Sequence, residues 1–335
     1  MNYKLSVIAL LAASQTLCAQ TFERRSVVEE YTGTWCGNCP RGIVGLERLE
    51  QDFGDRVICI AVHTGSDEPM AIATYPDLVP ENGGIPACTI DRTGKLDPYS
   101  GQGSRGIFHY GIDAEMAYQL AQPVEAGVEL TAQWNDAQQW DVRFTATTTF
   151  NINSAEAPYR LAFVLLEDGL KGEGKQWEQV NYFSVAAGYS DSQTYLDDDM
   201  KAWREAPYSV SGMEYNHVPV NTLGIRSGIA SSIQAPIVSG EPQTYSNLVT
   251  TLGVRLIQDK SRLSAVAMLL NTQTGEIVNA SKAPILAYGV DAIEEVSATP
   301  HRGVLAEDLY DLQGRPVSQP VRGLYIKNHR KYIQR

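Results

Sequence analysis

The chain has 335 residues and a formal net charge of −12. Its Lys and Arg are scattered, so no basic stripe exists to engage phosphates, and nucleic acid is excluded as a partner. With 43% apolar and 20% charged residues it has the composition of a globular chain, not a disordered one.

Residues Met1 to Ala19 begin with one early charge, Lys4, continue through the apolar run Leu5 to Ala13, and close at Leu17-Cys18-Ala19. This pattern predicts a secretory signal peptide over 1–19 and an exported protein. The apolar run is too short for a spanning helix. A lipid anchor on Cys18 would need a small residue where Leu17 stands. The remainder exceeds what one core usually organises, which predicts two domains and an appendage.

Arg25 to Thr32, rich in Val and Tyr, reads as a strand. A helix follows: Pro40 suits its first turn, and Ile43, Leu46 and Leu49 recur at helical spacing until Gly54. Arg56 to His63 reads as a strand buried on both faces, so the pair is parallel. After an irregular stretch from Thr64 to Gly84, Ala87 to Arg92 is another strand, turned by Thr93-Gly94. Ser104 to Gln122 reads as a helix.

The cysteines beyond the leader, Cys36, Cys39, Cys59 and Cys88, all lie in the first third of the chain. Export places them in an oxidising compartment. Cys36 and Cys39 are spaced i and i+3 at the start of the helix, within reach of a disulfide. At a helix N-terminus, unpaired N–H groups and the dipole favour thiolate on Cys36. That thiolate would attack a partner disulfide, Cys39 would resolve the mixed disulfide, and Trp35 would shield one flank. The alternatives are a passive structural disulfide and half of a zinc site. Cys59 and Cys88 lack the close spacing usual for the second pair of a structural zinc site. His63 reads as a hydrogen-bonded strand-end histidine, and Glu30 as a solvated charge unless a fold buries it.

The string Thr34-Trp35-Cys36-Gly37-Asn38-Cys39-Pro40, with Ile85-Pro86 downstream, resembles the thioredoxin superfamily. Glu29-Glu30-Tyr31-Thr32-Gly33-Thr34-Trp35-Cys36 is similar more specifically to the outer-membrane-protein-28-related family of Bacteroidetes. The resemblance implies a cis Pro86 that faces the dithiol and, with Ile85, shapes a peptide groove. It also implies that Glu30, six residues before Cys36, is a buried acid that relays a proton to or from Cys39. The implied strand order puts the first strand between the other two, so Cys59 and Cys88 lie ~9.5 Å apart. A disulfide joins Cα atoms no more than ~7 Å apart, so both should be unbridged buried thiols.

From Pro123 the pattern changes to alternation: Val128 to Trp134, Val142 to Phe150, Leu161 to Leu166, Ser232 to Val238, Thr244 to Thr251, Leu263 to Leu270 and Glu276 to Ser281. Asn271 to Gly275 reads as a hairpin loop. About seven strands predict a β-sandwich. A long polar loop, 171–221, interrupts it. Leu309 to Val317 and Gly323 to Ile326 read as short strands. This tail resembles the C-terminal sorting domains of type IX secretion; the alternative is an ordinary β-hairpin.

The expected organisation is a signal peptide (1–19), an α/β thioredoxin-like domain (20–122), an all-β sandwich domain (123–288), and a linker with a short C-terminal β tail (289–335). The expected function is thiol–disulfide exchange on exported proteins, with outer-membrane or secretion machinery as further partners. The location is the outer membrane, the cell surface or the medium, ahead of the periplasm. The competing expectation is a surface binding or structural protein whose CxxC stays oxidised. No pattern calls for a metal, nucleotide, flavin or other cofactor.

Overall fold

The computed structural model describes residues 21–75, 84–101, 111–188 and 198–289, with strands at 309–310, 323–327 and 330–334. The leader assigned to 1–19 lies outside the described residues. Contacts gather the chain into two units, Met1–Tyr288 and Gly289–Arg335. The protein is mostly β, with few helices among the described residues.

The first unit opens with β1 (Ser26–Thr32), α1 (Pro40–Phe53), β2 (Val57–His63), β3 (Ala87–Ile90), β4 (Lys95–Leu96) and α2 (Ile112–Leu120). The α1 crossover makes β1 and β2 parallel, while β3 returns antiparallel on the other side of β1. The order is β2-β1-β3-β4, so β1 is central as expected. The start of the expected 104–122 helix falls outside the described residues; helix is present over Ile112–Leu120.

Strand alternation divides the side chains of this sheet between two faces. Val28, Cys59, Cys88 and Ile90 meet Leu46 and Leu49 of α1 and Ile112 and Met116 of α2. Val27, Tyr31, Ile58, Ile60 and Val62 turn the other way and pack on strands from later in the chain. Burying each such aliphatic chain stabilises by about 1.5–3 kcal/mol, so neither face is left to solvent.

Those later strands are β5 (Ala126–Trp134), β6 (Asp141–Phe150), β7 (Tyr159–Glu167), β8 (Gln179–Val180), β9 (Ser209–Val210), β10 (Val218–Leu223), β11 (Pro242–Thr250), β12 (Leu263–Asn271) and β13 (Ile277–Leu286). A short helix, α3 (Lys201–Glu205), precedes β9. Seven of the strands form one sheet in the order β10-β7-β12-β13-β5-β6-β11. The sandwich expectation called for two separate sheets. Instead β13 pairs antiparallel with β12 and then, at Ile285 and Leu286, parallel with β5, which makes one curled mixed sheet. Phe144, Phe150, Phe163 and Leu269 fill its inside.

Strands β7 and β12 are buried on both faces. Leu161, Phe163 and Leu165 point into the curl, while Ala162, Val164 and Leu166 join Val266, Met268 and Leu270 against the first sheet. The two halves of the first unit therefore share a core. This corrects the alternation read for Leu161 to Leu166, whose side chains are apolar and buried on both faces.

Two strand assignments in this half also differ from expectation. Ser232 to Val238 is not a strand; only Ile237 makes a bridge, to Ser154. Pro236 has no N–H to give a ladder. Conversely, Val218–Leu223, partly inside the expected loop, is a strand despite Pro219. It sits at the sheet edge, where a missing donor is tolerated. The second unit contains β14 (Leu309–Tyr310), β15 (Gly323–Lys327) and β16 (Arg330–Gln334), an antiparallel three-stranded sheet. Strand β16 was not anticipated.

Candidate functional site

The first strand-to-helix junction holds a disulfide between Cys36 and Cys39, with S–S 2.13 Å and Cα–Cα 5.4 Å. Both cysteines lie before the regular helix and not on it. Pro40 occupies the first helical position, and without an N–H it cannot return a helical bond to the Cys36 carbonyl. That carbonyl accepts instead from the Cys39 N–H at 3.1 Å and from Gln179 Nε2 at 3.0 Å. Cys39 is thus the helix N-cap, and its carbonyl accepts from Gly42 and Ile43. Cys36 sits in the preceding turn, which corrects its expected place at the helix N-terminus.

The Cys36 side chain is only 6% exposed and Cys39 is fully buried. Cys36 Sγ lies 3.6 Å from the Ile85 carbonyl oxygen, and the Ile85–Pro86 bond is cis. Trp35 flanks the loop at 53% exposure, its Nε1 donating to the Thr64 carbonyl at 2.8 Å. The structure therefore brings Cys36, Cys39, Trp35, Ile85 and Pro86 together.

Glu30 lies on the helix-facing side of β1, against Gly42 of α1. It is 1% exposed, not solvated. Oε1 has no hydrogen-bond partner. Burial pushes the carboxyl up to about 8, against a smaller opposing contribution from the Thr32 hydroxyl. The approach is made possible by Gly42 of α1, where a Cβ would stand 2.2 Å from Glu30 Oε1. Glu30 also lines a cavity of about 120 Å³ together with Ile43, Glu47, His63, Gln179 and His217. Burial raises the Glu47 carboxyl as well. The neighbouring Glu29 points to the opposite face, where Arg92 pairs with it at 2.6 and 2.8 Å and Tyr75 donates at 3.0 Å.

Sequence reasoning missed much of what holds this loop. Glu68 is buried and accepts from Thr34 N at 2.7 Å, from Thr34 Oγ1 at 2.9 Å, and is 3.0 Å from His63 Nδ1. His63 is thus a hydrogen-bonded strand-end residue, as read. Residues 176–182, from the expected long loop, run beside residues 33–37. Val180 N–H donates to the Thr34 carbonyl and Tyr182 N–H to the Gly37 carbonyl, each at 2.8 Å. The only signal in the sequence was the length of the loop.

Cys59 and Cys88 are unbridged and buried, as the strand order required. They oppose Val28 and Glu30 on either side of β1. Burial raises both thiols far above their ordinary range. Among the described residues, no group of three or more His, Cys, Asp or Glu is placed to hold a metal.

No protein-family model matches the chain, and no curated protein matches it. Among solved structures it is similar to HBP35 of Porphyromonas gingivalis, with a TM-score of 0.55 at 16% identity over 94% of this chain and 98% of that one. A protein from Agrobacterium tumefaciens matches with a TM-score of 0.38 at 15% identity, over 81% and 97%. A domain of the outer membrane lipoprotein Omp28 from Porphyromonas gingivalis matches with a TM-score of 0.25 at 14% identity, over 49% and 90%. The first is a likeness of fold; nothing further follows from the lower scores.

Proposed function

We propose that this chain is an exported thiol–disulfide oxidoreductase whose N-terminal part is thioredoxin-like. The observation that carries this reading is the Cys36–Cys39 disulfide at a strand-to-helix turn, backed by a buried acid, Glu30, one of whose oxygens has no hydrogen-bond partner. Cys36 is the nucleophile and Cys39 the resolving thiol. Trp35, Ile85 and Pro86 form the substrate-binding surface.

In the oxidised chain, a partner thiolate attacks Cys36 Sγ and the Cys36–Cys39 bond breaks. Cys39 leaves as a thiolate and takes a proton from Glu30, which is still largely protonated at neutral pH because it titrates near 8. A second partner thiolate then attacks the partner sulfur of the mixed disulfide and frees Cys36. The partner loses two electrons and becomes a disulfide, while the chain gains two thiols. The reverse sequence oxidises Cys36 and Cys39.

The leader pattern over 1–19 and the residues Glu29 to Cys36 support an exported member of the outer-membrane-protein-28-related group, at the outer membrane or cell surface or secreted. The tail at 289–335 is read as a type IX sorting domain that engages the secretion machinery. The partners of the dithiol are exported proteins with thiols or disulfides.

The low exposure of Cys36 favours one competing reading, a surface binding or structural protein whose disulfide is never opened. Equilibration of the mature protein in glutathione buffers separates the two. Cys36 alkylation is followed by mass spectrometry, with Cys36→Ser and Cys39→Ser as controls. An oxidoreductase titrates within the roughly −120 to −270 mV range of known dithiol enzymes. A disulfide that never reduces under native conditions overturns the enzyme reading and leaves the scaffold.

A further inference from the structure

Residues 176–182 are held against the redox loop by main-chain and side-chain hydrogen bonds. Two main-chain bonds, Val180 N–H to Thr34 O and Tyr182 N–H to Gly37 O, run along it at 2.8 Å. The Gln179 side chain, 1% exposed, turns its amide onto the carbonyls of Thr34 at 3.3 Å and Cys36 at 3.0 Å. Thr34 Oγ1 returns a bond to the Gln176 carbonyl at 2.9 Å. The Tyr182 ring lies so close over Gly37 that a Cβ there would be 2.3 Å from it. An extended partner chain would use the same carbonyls, so on this flank the place of a partner is already taken.

The segment is anchored from behind. Asn181 donates to the Trp203 and Pro207 carbonyls, β8 pairs with β9, and Phe183 packs with Met200 against Val44 of α1. It is a wall of the site and not a loose cover. Trp35, by contrast, stands 53% exposed.

Resting on the reading of Cys36 and Cys39 as a redox pair, we propose that Gln179 and Tyr182 determine specificity. Their wall closes one flank of Cys36, so exchange occurs with thiols and disulfides in extended, unfolded segments entering from the Trp35 side, and folded partners are rejected. The exchange is the one balanced above, with the partner's two thiols becoming its disulfide as Cys36–Cys39 becomes a dithiol.

The test compares the oxidised mature protein against two reductants of similar potential, an unfolded dithiol peptide and a folded protein dithiol. The appearance of free Cys36 is followed by acid quench, alkylation and mass spectrometry. The wild type should react faster with the peptide. In Gln179→Ala, which takes the amide off the Thr34 and Cys36 carbonyls, and in Tyr182→Ala, which takes the ring from over Gly37, this preference should shrink by about fivefold. A wild type without preference, or one whose preference survives in both variants while circular dichroism shows them folded, overturns the proposal. Reduction in neither wild type nor variants overturns the redox reading along with it. Reduction in the variants alone shows a wall that seals the disulfide and overturns the proposal that it selects partners.

Discussion

Replacing Glu30 by Gln keeps the shape of the protonated acid and removes its titration. The carboxyl ordinarily titrates at 4.5 and does so at about 8 in the fold, because burial penalises the charged form. Between those pH values the folded chain retains a proton that the unfolded chain has released. The associated stability is fully present below 4.5 and is lost as pH rises through 8, by about 1.4 kcal/mol per pH unit in that window. Over the whole interval the loss approaches about 5 kcal/mol, an upper figure because Glu30 lines a cavity that water can enter. Taken relative to pH 4, Glu30→Gln should become progressively more stable than the wild type up to about pH 8, above which the difference levels off. Urea unfolding of both proteins, disulfide intact, at half-unit steps from pH 4 to 9 yields the difference curve. Glu47, Asp91 and Glu167 are also raised by burial. They are common to both proteins and cancel in the difference. A flat difference curve would refute the buried, unpaired state of Glu30. In exchange assays the same variant should also lose the limb of the pH–rate profile near 8, and an unchanged profile would remove Glu30 from proton transfer.

Gly42→Ala should cost about 1–3 kcal/mol by forcing the new methyl onto Glu30 Oε1. In a Glu30→Ala background the same change should turn favourable, by up to about 1 kcal/mol of helix propensity, as read by a double-mutant cycle of urea midpoints. Arg92→Ala leaves the Glu29 carboxylate buried without its bidentate partner. It should destabilise by about 3–5 kcal/mol at pH 7, and a loss within experimental error would show that solvent reaches Glu29. Cys59 and Cys88, held protonated by burial, should resist iodoacetamide in the native protein and react once it is unfolded. Intact mass should show one disulfide; a second would contradict the strand order.

Periodicity alone located β1, α1, β2, β3, β5, β6, β7, β11, β12 and β13, because each carries its own apolar repeat and ends at its own Gly, Pro or polar break. The adjacency of Cys36 and Cys39 is likewise local, since three residues of chain hold their Cα atoms within disulfide reach. The resemblance supplied the central place of β1 and, from it, the separation of Cys59 and Cys88.

What surrounds those cysteines was decided by tertiary structure. Glu29 and Glu30 are adjacent acids in one strand, and no local pattern says which is paired and which is left alone. Alternation sends Glu29 to Arg92, while the missing Cβ of Gly42 admits Glu30 beneath α1. The wall formed by residues 176–182 lies some 140 residues from Cys36 along the chain. It carries no repeat of its own, because its order comes from bonds to the carbonyls of residues 33–37 and not from a periodic apolar face. The single curled sheet has the same origin. Whether seven alternating strands close as two sheets or one depends on where β13 ends beside β5, a register that only packing sets.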